Sequence, residues 1–231
     1  MTTADGPRGA DGWAAAVRLR LGLGRLLPLG GPADGAWISE RAAVAVLRGA
    51  VTSPGAALGK LRISVADPDG APGPEVEPPP SALPPGPLRI EVTMSAVSGR
   101  PLPVAADALR SALLTAAGER LGLVVDTVDV RVTALLDAPP ERPAPAPMEV
   151  HEAAAEGVAG TAAAGVPGVV TLTGVLGRAV HADPDHVRIE LATDPGHRAL
   201  DVARAVRSAV AAAVEGHPSV AVLVTAVVER D

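Results

Sequence analysis

The chain has 231 residues, which is enough for one large domain or two small ones. Hydrophobic residues make up 48% of it and charged residues 20%, a globular composition that excludes disorder throughout the chain. The 20 basic and 26 acidic residues give a net charge of -6, whereas a general nucleic-acid binder usually carries a basic stripe. The sequence contains no cysteine, so disulfides, thiolate metal sites and a cysteine nucleophile are excluded.

Aromatic side chains are almost missing, since the sequence has two Trp and neither Phe nor Tyr. Any core must therefore be built from Val, Leu, Ile and Ala. Of the 20 basic residues only Lys60 is a lysine, which leaves 19 arginines. This codon-driven bias is typical of a high-GC genome such as that of an actinobacterium.

Residues 1–35 are predicted to form a basic amphipathic segment. Trp13, Val17 and Leu21 recur at helical spacing and form an apolar stripe beside Arg18. Such a segment is suited to a membrane surface, a partner protein or the chain's own domain. The first residues lack the basic start and apolar run of a signal peptide, so we expect a cytoplasmic protein. Contact of this segment with the inner face of the membrane is an alternative.

The first half, residues 36–137, is predicted to be an α+β domain. Apolar residues alternate with polar ones in the strand at 88–96, which indicates one buried and one wet face. The full set of elements predicted here is a helix at 37–50, a Pro-Gly turn at 54–55, strands at 61–65 and 88–96, a helix around 109–113 and a closing strand at 128–136.

Two segments are rich in proline. Residues 68–87 contain nine prolines and are predicted to be an extended insert without ladder hydrogen bonds. Residues 138–147 contain five prolines and are predicted to be a linker between domains. Either could be a plain spacer or a ligand for a small recognition domain.

The second half, residues 148–231, is predicted to repeat the first. Its uncharged stretch at 157–177 is long enough to cross a bilayer, but its six glycines and Pro167 favour a helix end, a turn and a strand. The elements predicted here are a helix at 150–164, a Pro-Gly turn at 167–168, strands at 169–175 and 187–191, a helix at 199–214 and a closing strand at 220–228.

Matched blocks support the repeat. Residues 88–92 read Leu-Arg-Ile-Glu-Val, and residues 187–191 read Val-Arg-Ile-Glu-Leu. Leu109-Arg110-Ser111-Ala112-Leu113 likewise matches Val206-Arg207-Ser208-Ala209-Val210. We therefore predict an α+β fold of two tandem α-β-β-α-β domains, each a three-stranded sheet packed by two helices.

The closing strands are candidate contact surfaces. The strand at 220–228 is apolar on both faces, so it is either covered on both sides or meets a partner. The residues predicted to interact are Trp13, Val17, Arg18, Leu21, Val220, Val222, Leu223 and Val224.

No catalytic constellation is visible. The run Gly55 to Leu61 is one residue short of a phosphate loop and has Leu where Ser or Thr would hold magnesium. No nucleophile elbow or zinc-protease motif occurs, so we expect neither an enzyme nor a cofactor. His181, Asp183, Asp185 and His186 lie within six residues and form an alternative metal-binding group, although Asp-Pro-Asp is also a common turn.

The order helix, Pro-Gly turn, two strands, helix, strand resembles the alkaline-shock-protein family of envelope stress response proteins. Val166-Pro167-Gly168-Val169 matches the family's turn, and 187–191 matches its alternating strand. Residues 199–214 match its long helix and 220–228 its closing strand. In the first half Ser53-Pro54-Gly55 gives a looser match, and the stretch from Leu26 to Ile38 resembles an actinobacterial branch.

This resemblance implies a non-enzymatic protein that associates with itself, with sister family members or with a small membrane protein under envelope stress. It implies no catalytic residue. From the net charge and the composition of 157–177 we also expect no nucleic-acid partner and no transmembrane segment. The alternative is a regulatory module that binds a small molecule or a metal at His181 to His186.

Overall fold

The computed structural model describes residues 22–51, 56–99, 101–138 and 149–229. Within these ranges the fold is mixed α+β, which confirms the predicted class. The strands are β1 (Leu26–Leu29), β2 (Ala36–Ser39), β3 (Ala56–Val65), β4 (Leu88–Val97), β5 (Val125–Leu136), β6 (Glu152–Ala153), β7 (Val169–Thr173), β8 (Val180–Ala182), β9 (His186–Thr193) and β10 (Ser219–Val227). The helices are α1 (Glu40–Ala50), α2 (Leu102–Thr115), α3 (Gly157–Ala164) and α4 (Ala199–Ala213), with a 3-10 turn at Pro32–Asp34 and a π-helical turn at Ala116–Leu121.

Three strands of the first half form a small sheet in the order β3-β4-β5. β3 and β4 are antiparallel, and β4 and β5 are parallel with α2 as the crossover. Residues 88, 90, 92, 94 and 96 of β4 are buried and the residues between them are not, as the alternation predicts. β5 has a bulge near each end, and its longest stretch of regular register runs from Thr127 to Val132.

The second half forms a large sheet in the order β1-β2-β10-β9-β7-β6, with β8 also paired to β9. Here too the first two long strands, β7 and β9, are antiparallel, while β9 and β10 are parallel across α4. The sheet has seven strands rather than the predicted three. Two of the four additional strands are the hairpin β1–β2, from the beginning of the described chain, which adds to the free side of β10. The other two are the short strands β6 and β8, which pair with β7 and β9.

Both halves share one hydrophobic core. It contains Leu47 of α1, Ile90 of β4, Leu113 of α2, Val206 of α4 and Val222 of β10. Helix α1 lies between the halves, since it contacts both β10 and the π-helical turn. The two α-β-β-α-β units are therefore present in order along the chain, but their separation into two tandem domains is not confirmed.

Two helix starts differ from the sequence prediction. The helix predicted at 37–50 begins at Glu40, because Trp37 and Ile38 are strand residues of β2. Ser39 is the N-cap, and its hydroxyl accepts a hydrogen bond from the Ala42 N–H at 3.1 Å. The helix predicted at 150–164 begins at Gly157, and only β6 precedes it.

The proline-rich insert at 68–87 has no strand of its own, as predicted, but it is packed on the outer face of the large sheet. Val76 is buried there, and the Trp37 Nε1–H donates to the Leu83 carbonyl at 3.3 Å. The Leu83 N–H in turn donates to the Leu26 carbonyl at 2.9 Å. This insert is therefore a cover for the sheet rather than a free spacer. The linker predicted at 138–147 lies almost entirely outside the described residues.

Gly122 joins the two halves where the π-helical turn ends. It has a φ of +88°, and its carbonyl accepts a hydrogen bond from the Gly30 N–H at 2.9 Å. A Cβ built on Gly122 would lie 2.4 Å from the Leu200 Cβ of α4. Only glycine combines this left-handed backbone with so close an approach.

We expect Gly122→Ala to lower the free energy of unfolding by about 2 kcal/mol or more, from left-handed strain together with overpacking against Leu200. Urea denaturation followed by circular dichroism measures the change. The matched control is Gly49→Ala, because nothing lies within 4 Å of a Cβ there, in helix α1. Gly49→Ala should raise the free energy of unfolding by about 0.5–1 kcal/mol. Equal effects of the two substitutions would contradict the role assigned to Gly122 between the two halves.

Candidate interaction site at the edges of the closing strands

The closing strand of the second half lies in the middle of the large sheet. β10 pairs in parallel with β9 on one side and with β2 on the other. Val220, Val222 and Val224 pack into the shared core, whereas Leu223 packs with Trp37 on the outer face. All four predicted contact residues of this strand are buried. Of the two alternatives predicted for 220–228, the structure shows coverage on both sides, so this strand offers no exposed face as a contact surface.

The other predicted contact residues, Trp13, Val17, Arg18 and Leu21, lie outside the described residues. Further along the predicted amphipathic segment, the chain is not helical at 26–29 but forms the buried strand β1. The end of this segment thus docks on the chain's own sheet.

An arginine marks the filled edge of β10. The Val222 N–H donates to the Gly35 carbonyl at the start of β2, so the backbone groups of Val222 face β2. Backbone direction alternates along a strand, and Val220 therefore faces the same side. The Val220 carbonyl accepts a hydrogen bond from the Arg207 Nε at 2.8 Å, just beyond the point where pairing with β2 begins.

The turn of the β1–β2 hairpin is held by α4. Arg207 Nη1 donates to the carbonyls of Ala33 (2.7 Å) and Asp34 (2.6 Å). The Asp34 carboxylate accepts from Arg204 Nε at 2.7 Å and Nη2 at 3.1 Å, and from the Gly31 N–H at 2.8 Å. Burial acts to raise the pKa of Asp34, but these hydrogen bonds and the two cationic side chains outweigh it and lower the pKa.

The closing strand of the first half has the same arginine but an open edge. Arg110 is the repeat equivalent of Arg207, and its Nε donates to the Val128 carbonyl of β5 at 3.2 Å. β5 pairs with β4 only, and no described strand lies on its other side. Exposed apolar residues stand at both ends of this edge, with Leu135 63% and Val124 46% exposed. We define the free edge of β5 as the candidate interaction site.

The outer face of the small sheet, next to this edge, is polar. In one row across the strands, Arg62 of β3 aligns with Glu91 of β4 and Asp129 of β5. In the next row Thr93 aligns with Arg131 of β5. Asp129 accepts from the Arg89 Nε at 2.5 Å, in an ion pair whose partners are both about half exposed. Such a face is suited to water or to polar recognition rather than to a core.

The histidine–aspartate group at 181–186 does not converge on a metal position. His181 Nε2 lies 3.2 Å from Asp183 Oδ2, but His186 turns to Ser219, with 2.8 Å between Nδ1 and the hydroxyl oxygen. Burial lowers the pKa of His186. Across the described ranges, no three His, Asp or Glu side chains lie close enough together to hold a metal ion.

Sequence reasoning missed a buried carboxylate. Glu190 of β9 is fully buried on the outer face, and its Oε2 accepts from the N–H groups of Val175 (2.8 Å) and Leu176 (3.0 Å). Its Oε1 lies 3.8 Å from Arg188 Nη2. The carboxylate fixes the loop after β7 against the sheet. Its repeat equivalent Glu91 is exposed, so the shared sequence block gives no signal of this difference.

Comparison of the chain with protein families, with curated proteins and with solved structures finds no match. None of the helices in the described ranges has the length and apolar character needed to cross a bilayer.

Because β10 is buried on both faces, a charged side chain in this strand should prevent folding. Leu223→Asp should prevent folding, because it places an unpaired carboxylate between Trp37 and the covered outer face. Leu135→Asp is the matched control, since that side chain is exposed in β5. Circular dichroism and thermal melting should show an unfolded L223D and a folded L135D. A folded L223D with unchanged melting would contradict the covered face.

The lowered pKa of Asp34 predicts that the free energy of unfolding depends on pH. A carboxyl whose pKa is lowered by folding adds stability above its unfolded pKa, and this stability is lost as the pH falls through the folded value. The free energy of unfolding should therefore fall between about pH 5 and pH 3. Asp34→Asn should lower it by about 1 kcal/mol at neutral pH and flatten the decline. Asp69→Asn, at an exposed position of the insert, is the control. An unchanged slope in D34N would contradict this assignment.

Proposed function

We propose that this chain is a non-enzymatic interaction or scaffold protein that acts by self-association and docks to a membrane-associated partner. The resemblance to envelope stress response proteins supports this proposal, and so does the free edge of β5. This edge is the main support, because β5 has twelve residues, no described strand pairs with its second side, and such an edge is a template for adding another strand.

The second half supplies a precedent for such pairing. On β10 the edge marked by Arg207 is filled by β2, whereas the edge of β5 marked by Arg110 has no described partner. The same supersecondary unit thus accepts an added strand in one copy and presents the same position in the other. We therefore expect a strand from another molecule to pair with the edge of β5, as β2 pairs with β10.

The exposed side chains agree with an interface. Leu135 and Val124 leave apolar surface at the ends of β5, and apolar surface beside a polar rim is typical of protein contact sites. On the outer face of the small sheet the two aligned rows at Glu91 and Thr93 are polar or charged. Contact is therefore expected along the edge rather than over the face.

Sedimentation velocity of the purified chain over a range of concentrations tests self-association. We expect a reversible dimer or larger species. A tagged chain purified from its host should also be recovered from the membrane fraction with a small membrane protein or a related chain, as mass spectrometry can show. A monomer at every concentration with no recovered partner would refute the proposal.

Val130→Pro tests whether the edge is used. The Val128 carbonyl meets Arg110 at the edge, so by alternation the Val130 N–H faces the same side and no ladder bond to β4 is lost. V130P should keep its fold and lose assembly. Val130→Ala shortens the same side chain but keeps the N–H, and it should still assemble. Assembly of a folded V130P would show that another surface is used.

A further inference from the structure

The sequence of β5 is complementary to itself when read in opposite directions. Around Val130 the order is Val128-Asp129-Val130-Arg131-Val132. Reversal about Val130 exchanges Asp129 with Arg131 and leaves valines opposite valines. This symmetry falls within the stretch from Thr127 to Val132, where β5 has a regular register between its two bulges.

We infer that the free edge of β5 pairs in antiparallel fashion with the β5 edge of a second copy of this chain, with Val130 opposite Val130. The inference rests on the proposed function, since it names the partner and register at the same edge. It joins two small sheets into one continuous six-stranded sheet with a two-fold axis through the central pair.

The backbone direction fits this register. The Val128 carbonyl faces the free edge, so the N–H and C=O groups of Val130 and Val132 also face it. Val130 then forms a hydrogen-bonded pair with its counterpart. Asp129 and Arg131 fall at the neighbouring non-hydrogen-bonded positions, where opposite side chains come closest.

Charge selects the antiparallel arrangement. Asp129 of each copy faces Arg131 of the other on the same outer face, which gives two equivalent ion pairs. In a parallel two-fold pairing one sheet would be turned over, and these side chains would lie on opposite faces. Arg131 is exposed and has no ion-pair partner among the described residues, whereas Asp129 contacts Arg89. The second copy supplies the missing partner of Arg131.

The ends of the strand also gain contacts. Beyond the regular stretch, the antiparallel arrangement places the end of β5 that carries the exposed Leu135 beside the end near the exposed Val124 of the other copy. The shared two-fold axis repeats this contact at the opposite end. The apolar side chains left in solvent by the single chain are thereby covered in the pair.

Charge reversal with rescue tests the register. Asp129→Arg and Arg131→Asp each place like charges opposite one another in a homodimer, so each should raise the dimer dissociation constant by about tenfold or more. An equimolar mixture of D129R and R131D restores both ion pairs, and so does the double variant within one chain. Both should dimerise about as tightly as the wild type. Sedimentation velocity with one fluorescently labelled chain measures these constants.

The controls carry the same charge changes on the same face away from the β5 edge. Glu91→Arg lies on the central strand and Arg62→Asp on β3, at the opposite edge of the small sheet. Both should leave the dissociation constant unchanged. Circular dichroism verifies that each variant is folded.

The outcomes separate the two proposals. A monomeric wild type refutes self-association and this inference together. If the wild type assembles and V130P does not, but the single reversals have no effect or their mixture gives no rescue, the edge is used in another register or by another strand. That result overturns the inference and leaves the proposed function standing.

Discussion

The parallel pairing of β2 with β10 is the constraint on which the rest of the structure depends. It joins a strand near the beginning of the described chain to the last strand. Trp37 and Leu223 then meet on the outer face, and Ser39 ties the start of α1 to the Thr225 carbonyl at 2.8 Å. Because α1 leads from this pairing toward the first half, the two units share one core. A core almost without aromatic residues gains from such sharing, since a unit of this size buries too little surface on its own.

The repeat keeps its internal geometry but differs at its outer boundaries. In both units an arginine on the long helix donates to a carbonyl at the edge of the closing strand. In the second unit that edge is filled and the outer face is covered by the proline-rich insert. In the first unit the edge and the face are both open among the described residues. Glu91 and Glu190 show the same contrast, one in solvent and the other holding a loop.

The local sequence pattern predicts the long helices and strands. The pairing order of the strands and the covering of the large sheet depend on contacts between residues far apart in the sequence, which no local pattern shows. The alternation in β4 and the period of α4 gave their positions to within about two residues, as expected for strongly periodic segments. The sequence pattern places Trp37 and Ile38 in a helix, because an apolar run next to a helix fits either a helix or a strand. Ser39 followed by Glu40 is nevertheless a recognisable helix start. No local pattern could show that 68–87 covers the large sheet or that β10 is central. The candidate surface at 128–136 could be predicted because its strand alternates, but its free edge appears only once the pairing order is known.

The charges on β5 explain how an open edge can be selective. An unpaired strand rich in valine invites pairing in any register, and charged side chains are the usual protection against it. Asp129 and Arg131 oppose a shift by two residues, because such a shift removes both ion pairs and places either Asp129 opposite Asp129 or Arg131 opposite Arg131 of the second copy. A one-residue shift is opposed as well, since it places residues whose N–H and C=O groups face β4 opposite the free-edge groups of the other copy, and the ladder hydrogen bonds cannot form. The same two side chains that make other registers costly are complementary in the one centred on Val130, so protection and recognition follow from a single pair of residues.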